Sequence, residues 1–184
     1  DYAVYTFFPE VGNLVVDPDK RGAQFSHKNE MGKPHYYTVK FDNGIRTEFS
    51  TTERGVHFRF TYPKTGDAYL VIDGYTGMSN ITVDPVKRQV KGWVNNQRFV
   101  NHSENFRNYF VIQFDQPFED YGVWEGEGKK VFAKQTKGEG KKYGAFLKFK
   151  KGAKVQAKAA SSYITPEQAE LTLKMELGAD KNLE

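Results

Sequence analysis

The residues best suited to chemistry crowd into one short stretch, 25–37, which reads FSHKNEMGKPHYY and sets Ser26, His27, Asn29 and Glu30 in front of Tyr36 and Tyr37. His27 and Glu30 are three apart, a spacing at which a helix can turn two side chains toward one metal ion. Here an alternating run, TVKF, follows directly, so the expected setting is a loop before a strand, and no metal site follows from the pair. The chain has four histidines (His27, His35, His57 and His102) and no cysteine, which leaves few ligands for a transition metal elsewhere. Ser26 beside His27 is not a hydrolase arrangement. A nucleophilic serine needs a sharp turn such as G-x-S-x-G or a base brought to it, and neighbours on an extended chain point to opposite sides. Asp115, Glu119, Asp120 and Glu125 come nearest to a carboxylate pair for acid–base work. Pro117 and Gly122 among them mark turns, so these acids read as loop residues. Gly126, Gly128, Gly138, Gly140 and Gly144 precede no helix, unlike a phosphate-binding loop. Asn80-Ile81-Thr82 and Asn101-His102-Ser103 match the glycosylation sequon, a pattern short enough to arise by chance. No catalytic residue and no metal ligand is assigned.

The elements that must position these residues are strands. Tyr37, Val39 and Phe41 alternate with Thr38 and Lys40, Asp42-Asn43-Gly44 supplies a hairpin turn, and Ile45, Thr47 and Phe49 resume beyond it. Val56, Phe58, Phe60 and Tyr62 alternate with His57, Arg59 and Thr61, PKTGD breaks the run, and AYLVID opens a more buried strand. Further strands are expected over YAVYTFF at the start and near 81–83, 89–94, 109–114, 130–135, 144–149 and 154–160. The fold class is therefore mainly β: a two-sheet antiparallel β-sandwich with one C-terminal helix. Thr165 caps that helix, Pro166 suits its first position, Gln168 completes a capping box and Gly178 ends it. Its apolar residues Ala169, Leu171, Leu173 and Leu177 make no single stripe, so it is expected to touch the sandwich and something else.

Length and composition agree with one domain. The chain has 184 residues, 38% hydrophobic and 15% aromatic, enough to bury a core. The absence of cysteine removes disulfides and thiolates and leaves the redox compartment open. No run approaches the roughly 20 apolar residues of a membrane span, and no signal peptide is apparent. The net charge of +4 raises a nucleic-acid reading. The lysines of segment 129–158 alternate with apolar residues, however, as on a strand with one wet face, and lysine also protects sheet edges. A nucleic-acid partner is not expected. The start at Asp1 within a strand-like run, and the closing Leu183-Glu184, read as signs of an excised piece with part of a cloning scar.

Five blocks then carry a resemblance: FSHKNEMGKPHYYTVKF (25–41), IRTEFSTTERGVHFRFTYP (45–63), VKGWVNNQ (90–97), YFVIQFDQPF (109–118) and SYITPEQAELTLKMEL (162–177). In this order they resemble the amino-terminal domain of family 92 glycoside hydrolases, the calcium-dependent exo-acting α-mannosidases abundant in gut Bacteroidetes. The family's blocks approximate FSHENE, PGYYSV, ELTATxRxGxHRFTFP, a GWA-type strand and SxEQAxxNL. His35 stands where the family has glycine, Met31-Gly32-Lys33 replaces the usual spacer, and Val94-Asn95-Asn96 follows Gly92-Trp93. The family's HTHLSGTG-type segment would precede Asp1.

The resemblance implies a galactose mutarotase-like supersandwich over 1–162, a helix over 163–178 leading toward an (α/α)6 catalytic barrel, and a tail over 179–184. It implies a secreted, periplasmic or cell-surface inverting enzyme that acts on a mannose-containing glycan. Such an enzyme places two carboxyls roughly 6.5–9.5 Å apart; those carboxyls and the Ca2+ ligands would belong to the barrel, with no cofactor in this chain. The sandwich would help to wall the pocket, with His27, Glu30, Tyr36, Trp93 and Gln97 as candidates for the pocket or the domain interface. For the loop 25–37 two readings stand: packing against the barrel, or a turn capped by Ser26 and Asn29 and tied down by its own hydrogen bonds. For the whole chain, a free-standing carbohydrate-binding module is the alternative.

Overall fold

Side-chain alternation becomes two sheets in the computed structural model, which describes residues 5–74, 77–95, 105–126 and 129–178. In chain order the strands are β1 (Tyr5–Val11), β2 (Glu30–Lys33), β3 (Tyr36–Lys40), β4 (Arg46–Thr51), β5 (Gly55–Thr61), β6 (Ala68–Gly74) and β7 (Met78–Asp84). They continue as β8 (Gln89–Asn95), β9 (Arg107–Phe114), β10 (Asp120–Glu125), β11 (Lys130–Ala133), β12 (Lys137–Lys141), β13 (Tyr143–Phe149) and β14 (Lys154–Ser162), before helix α1 (Pro166–Leu177). One antiparallel sheet has five strands, β1-β6-β13-β10-β11; the other has nine, β12-β7-β8-β9-β14-β5-β4-β3-β2.

The core lies between them. Leu70, Ile72, Leu147 and Phe149 of the smaller sheet share one cluster with Phe60, Ile112, Phe114 and Val155 of the larger, all no more than 1% exposed. The hairpin expected at 42–44 forms: Gly44 takes a φ of 89° and Phe41 N donates to Ile45 O at 2.8 Å. Among the described residues, no helix is long and apolar enough to cross a membrane.

Three strands depart from the sequence reading. Glu30–Lys33, read within a loop, is the edge strand β2. Lys137–Lys141, left unassigned, is the opposite edge, β12. Asp120–Glu125, read as loop because of Gly122, is β10, a paired interior strand. Gly122 sits there not for a turn but for close approach, since a Cβ would lie 2.3 Å from Phe132 O and 2.6 Å from the Phe146 ring. Phe58, read as core, is half-buried and stacks on Phe60 at 5.6 Å.

A second, smaller core covers the outer side of the five-stranded sheet. The segment between β1 and the turn at 27–29 crosses that face, and Val16 packs with Val71 and Trp124. Arg21 fastens it: its Nη2 donates to both carboxylate oxygens of Asp73 at 2.9 and 2.8 Å, with the guanidinium 5.5 Å from the Phe8 ring centre and 5.8 Å from that of Trp124. The lysines of segment 129–158 do not share one face. They lie on strands of both sheets, and Lys129, Lys134 and Lys148 each reach an aspartate at 2.7 Å (Asp17, Asp120 and Asp67).

Phe60→Ala should cost about 3–5 kcal/mol, whereas Val86→Ala, at a side chain 90% exposed, should stay within about 0.5 kcal/mol. Denaturant unfolding of both variants checks the assignment of the core.

Candidate functional site

The outward face of the nine-stranded sheet is where this fold gathers polar groups. Because side chains alternate, the residues paired with one another across the strands stand on one face. Thr38 pairs with Glu48, Glu48 with Arg59 and Arg59 with Gln156; beside them His57 pairs with Lys158, Lys158 with Gln113 and Gln113 with Gln89. Glu48 anchors one end of this row. It is 4% exposed, takes Arg59 Nε at 2.8 Å and Nη2 at 2.7 Å, and accepts from Tyr36 OH at 2.5 Å. The hydrogen bonds from Arg59, then that from Tyr36, outweigh burial and hold its carboxyl at about 2. Glu48 is thus a fixed anion rather than a proton donor. His57, 4% exposed, is pushed below its ordinary value by burial first and Lys158 second.

Helix α1 closes the middle of the face. Thr165 Oγ1 accepts from Gln168 N at 3.1 Å, as the capping pattern implies, and Ala169, Thr172 and Leu177 are buried. The far end is tied twice: Glu176 accepts from Thr52 Oγ1 at 2.6 Å and Arg54 N at 3.0 Å, and Lys158 Nζ donates to Gly178 O at 2.9 Å. Gly55 permits this seat, since a Cβ there would lie 2.8 Å from Leu177 Cδ1. Between α1 and strands β8, β9 and β14 a cleft of about 470 Å³ remains, lined by Lys87, Lys91, Lys158, Lys174, Gln113 and Glu170 among others.

The candidates read from sequence do not form one site. His27 opens a single turn, 27–29, in which Ser26 Oγ accepts from Lys28 N at 3.3 Å and Ser26 O from Asn29 N at 2.7 Å. His27 Nδ1 meets Glu30 Oε1, and Tyr37 OH donates to Glu30 Oε2 at 2.6 Å. The hydrogen bonds from His27 first and Tyr37 second hold Glu30 below the usual carboxylate value. Tyr36 points to the opposite face from Tyr37, toward Glu48. Trp93 lies on β8, with the Arg107 guanidinium 3.9 Å above its ring. Five strand spacings, roughly 24 Å at 4.8 Å each, separate β8 from β3 in the sheet order. Gln97 lies outside the described residues, as do the second sequon and His102. Asn80 of the first sequon stands on β7 and donates to Glu139 at 2.8 Å.

Two carboxyls with raised values escaped the sequence reading. Burial lifts Asp73 against the pull of Arg21, and lifts Glu10 against the hydrogen bond from Val15 N. Perturbed carboxyls often mark active sites; here both hold the segment that crosses the smaller sheet, Glu10 through Val15 N at 3.0 Å and Asp73 through Arg21. No spacing in the sequence signals them. Among the described residues, no group of three or more histidine, cysteine or acidic side chains converges as metal ligands would.

Comparison with known proteins places the chain. The glycosyl hydrolase family 92 N-terminal domain matches residues 1–162. The chain belongs to that family. The family GH92 inverting mannosidase BT2199 from Bacteroides thetaiotaomicron VPI-5482 is similar over 99% of this chain and 24% of its own, at 36% identity and a TM-score of 0.90. The GH92 α-mannosidase BT3965 from Bacteroides thetaiotaomicron shares the fold at 23% identity and a TM-score of 0.79, over 96% of this chain and 26% of its own. No match was found among curated proteins. The chain spans about a quarter of the length of these family 92 structures.

Two measurements probe the network. Glu48→Gln leaves Arg59 buried against a neutral partner and should cost about 3–5 kcal/mol at pH 7. Because the folded value of about 2 lies below the ordinary 4.5, this stabilisation is complete above about 4.5 and is lost as pH falls toward 2. The stability gap between wild type and variant should narrow over that window, and a gap independent of pH would contradict it. His27→Ala removes a side chain 91% exposed and should move the Tm by less than about 2 °C, a result thermal melts can check.

Proposed function

We propose that this chain is the non-catalytic amino-terminal sandwich of an exo-acting, calcium-dependent, inverting α-mannosidase that trims mannose from glycans, packs on the catalytic portion and helps to wall its pocket. The observation that carries this reading is the 36% identity to an inverting family 92 mannosidase over 99% of this chain but only 24% of that one. The remaining length of such a protein is ample for a second domain that bears the acid, the base and the Ca2+ ligands.

The electrostatics support a scaffold role. Inversion needs one carboxyl that keeps its proton to give to the leaving oxygen and a second that activates water. Glu30, Glu48, Asp17, Asp67 and Asp120 are all held low by neighbouring donors and cations. Glu10 and Asp73, the raised pair, are engaged in holding the segment across the smaller sheet. The alternative of a free-standing carbohydrate-binding module is less favoured, because among the described residues the large exposed rings, Phe25 and Tyr163, stand on separate segments. The parent enzyme would work outside the cytoplasm, as a secreted, periplasmic or cell-surface protein.

The parent enzyme should hydrolyse aryl α-mannosides with inversion and lose activity on calcium removal, while this chain alone should show no turnover with or without calcium. Clear turnover by the pure chain, abolished by replacing one of its own acids, would place the active site here instead.

A further inference from the structure

A cavity lies on the outer face of the five-stranded sheet, across the sandwich from helix α1. In the strand register Thr6 pairs with Asp73, Asp73 with Gly144 and Gly144 with Trp124, so these residues stand in one row on one face. Gly144 makes room for the indole of Trp124, since a Cβ there would lie 2.4 Å from its Nε1. Thr6, Asp73 and Trp124 line a cavity of about 420 Å³ from the sheet, and Asp19 of the crossing segment and Lys142 of the β12–β13 turn line it as well. Ligand pockets fall between roughly 300 and 1,000 Å³. Part of its polar lining is already engaged: Asp73 accepts from Thr6 Oγ1 at 3.0 Å and from Arg21, and Asp17 pairs with Lys129 at 2.7 Å. The rest is not. Among the described residues, the Asp19 carboxylate and the Lys142 ammonium make no ion pair, and Trp124, 2% exposed, carries an indole N–H with no acceptor. A buried indole N–H ordinarily finds one. Lys142 also holds its place with a φ of 55°, where a glycine would sit at lower cost; backbone strain of this kind gathers at ligand sites.

We infer that this cavity binds a saccharide, one ring of the glycan on which the parent enzyme acts; the choice of a sugar rests on that proposed activity. The lining calls for a neutral ligand, because Asp17, Asp19 and Asp73 are matched by Lys129, Lys142 and Arg21. A phosphate or other anion would meet the carboxylates at close range. Hydroxyl groups both donate and accept, and the groups left free are of both kinds: Asp19 accepts, while Lys142 and the Trp124 N–H donate. A small zwitterion would meet Asp19 and Lys142 but leave most of the 420 Å³ empty. The site is formed before the ligand arrives. Arg21 on Asp73 and Glu10 on Val15 N fasten the crossing segment, and Asp19 N donates to Asp17 Oδ1 at 3.2 Å within its turn, so binding orders little of the chain.

The test titrates the isotope-labelled chain with methyl α-mannoside and follows by NMR the indole N–H resonances of its two tryptophans, Trp93 and Trp124. The Trp124 resonance should shift and saturate in the millimolar range, as befits one ring held by a few polar groups, while that of Trp93 stays in place. D19A/K142A should weaken binding about 10-fold or more and melt within about 2 °C of wild type, since both side chains are exposed. Should the double variant fail to fold, Lys142→Gly, which suits the positive φ, serves the same comparison. No saturable shift at Trp124 up to about 100 mM mannoside, a shift at Trp93 alone, or an equal response to glycerol overturns the inference. Saturation by glycine in place of the mannoside would assign the cavity to a zwitterion and overturn the saccharide. A parent enzyme that cleaves mannosides, with no shift at Trp124 in the chain, loses the cavity and keeps the proposed activity. One that cleaves no mannoside, although the chain binds methyl α-mannoside at Trp124, loses the proposed activity and keeps the cavity.

Discussion

Strand β14 is buried on its core face and, at Ala160 and Ser162, on its outer face too, and the two layers above and below it depend on how little space its side chains take. Toward the sandwich core it presents Val155, Ala157 and Ala159, all 0% exposed; toward the helix it presents Ala160 and Ser162. The neighbours are large where β14 is small. Ala157 stands between Phe58 and Phe114, and Ala159 between Val56 and Ile112. Interiors are close-packed, so extra methylenes at these alanines would force aromatic neighbours off their rotamers. On the outer side the same economy lets α1 lie against the sheet, with Ala169 buried and Gly55 beneath Leu177.

The polar groups follow from that packing. A nine-stranded sheet has more outward face than one helix of twelve residues can cover, so the rest must be made compatible with water or internally paired. Near α1 it is paired: Glu48 with Arg59 and Tyr36, Lys158 with the helix end, Glu176 with the β4–β5 turn. A buried ion that loses its partner is costly, and such pairs therefore specify where the helix sits as much as they stabilise it. The smaller sheet handles its outer face differently, drawing a segment of chain across it and anchoring that segment by Arg21 and Asp73.

For a family 92 amino-terminal domain, this arrangement divides the labour. Glu10, Glu30, Glu48, Asp73 and Glu176 hold segments and strands in place. The loop 25–37, whose residue types first suggested chemistry, is closed on itself through Ser26, His27, Glu30 and Tyr37. Part of its polarity is satisfied locally, while Tyr36 OH and His35 O bond to Glu48 and Ser50 of β4.

Whatever depended on local periodicity was legible in the sequence. The hairpin at 42–44, the alternating strands from Tyr36 to Thr61, and the C-terminal helix with its cap at Thr165 each arise from residues a few positions apart, whose side-chain directions the backbone sets. The order of five blocks likewise points to the family. What only the tertiary structure decided involves residues distant in the chain. Gly122 reads as a turn until the Phe132 carbonyl and the Phe146 ring are seen to occupy the place of its side chain. Asp73 and Glu10 look like ordinary strand acids until the segment across the smaller sheet buries them. His27 and Trp93 could be imagined in one pocket, yet the strand order sets them on distant strands. Pairing order, burial and close approach are properties of segments that meet after folding, and no local pattern encodes which segments those will be.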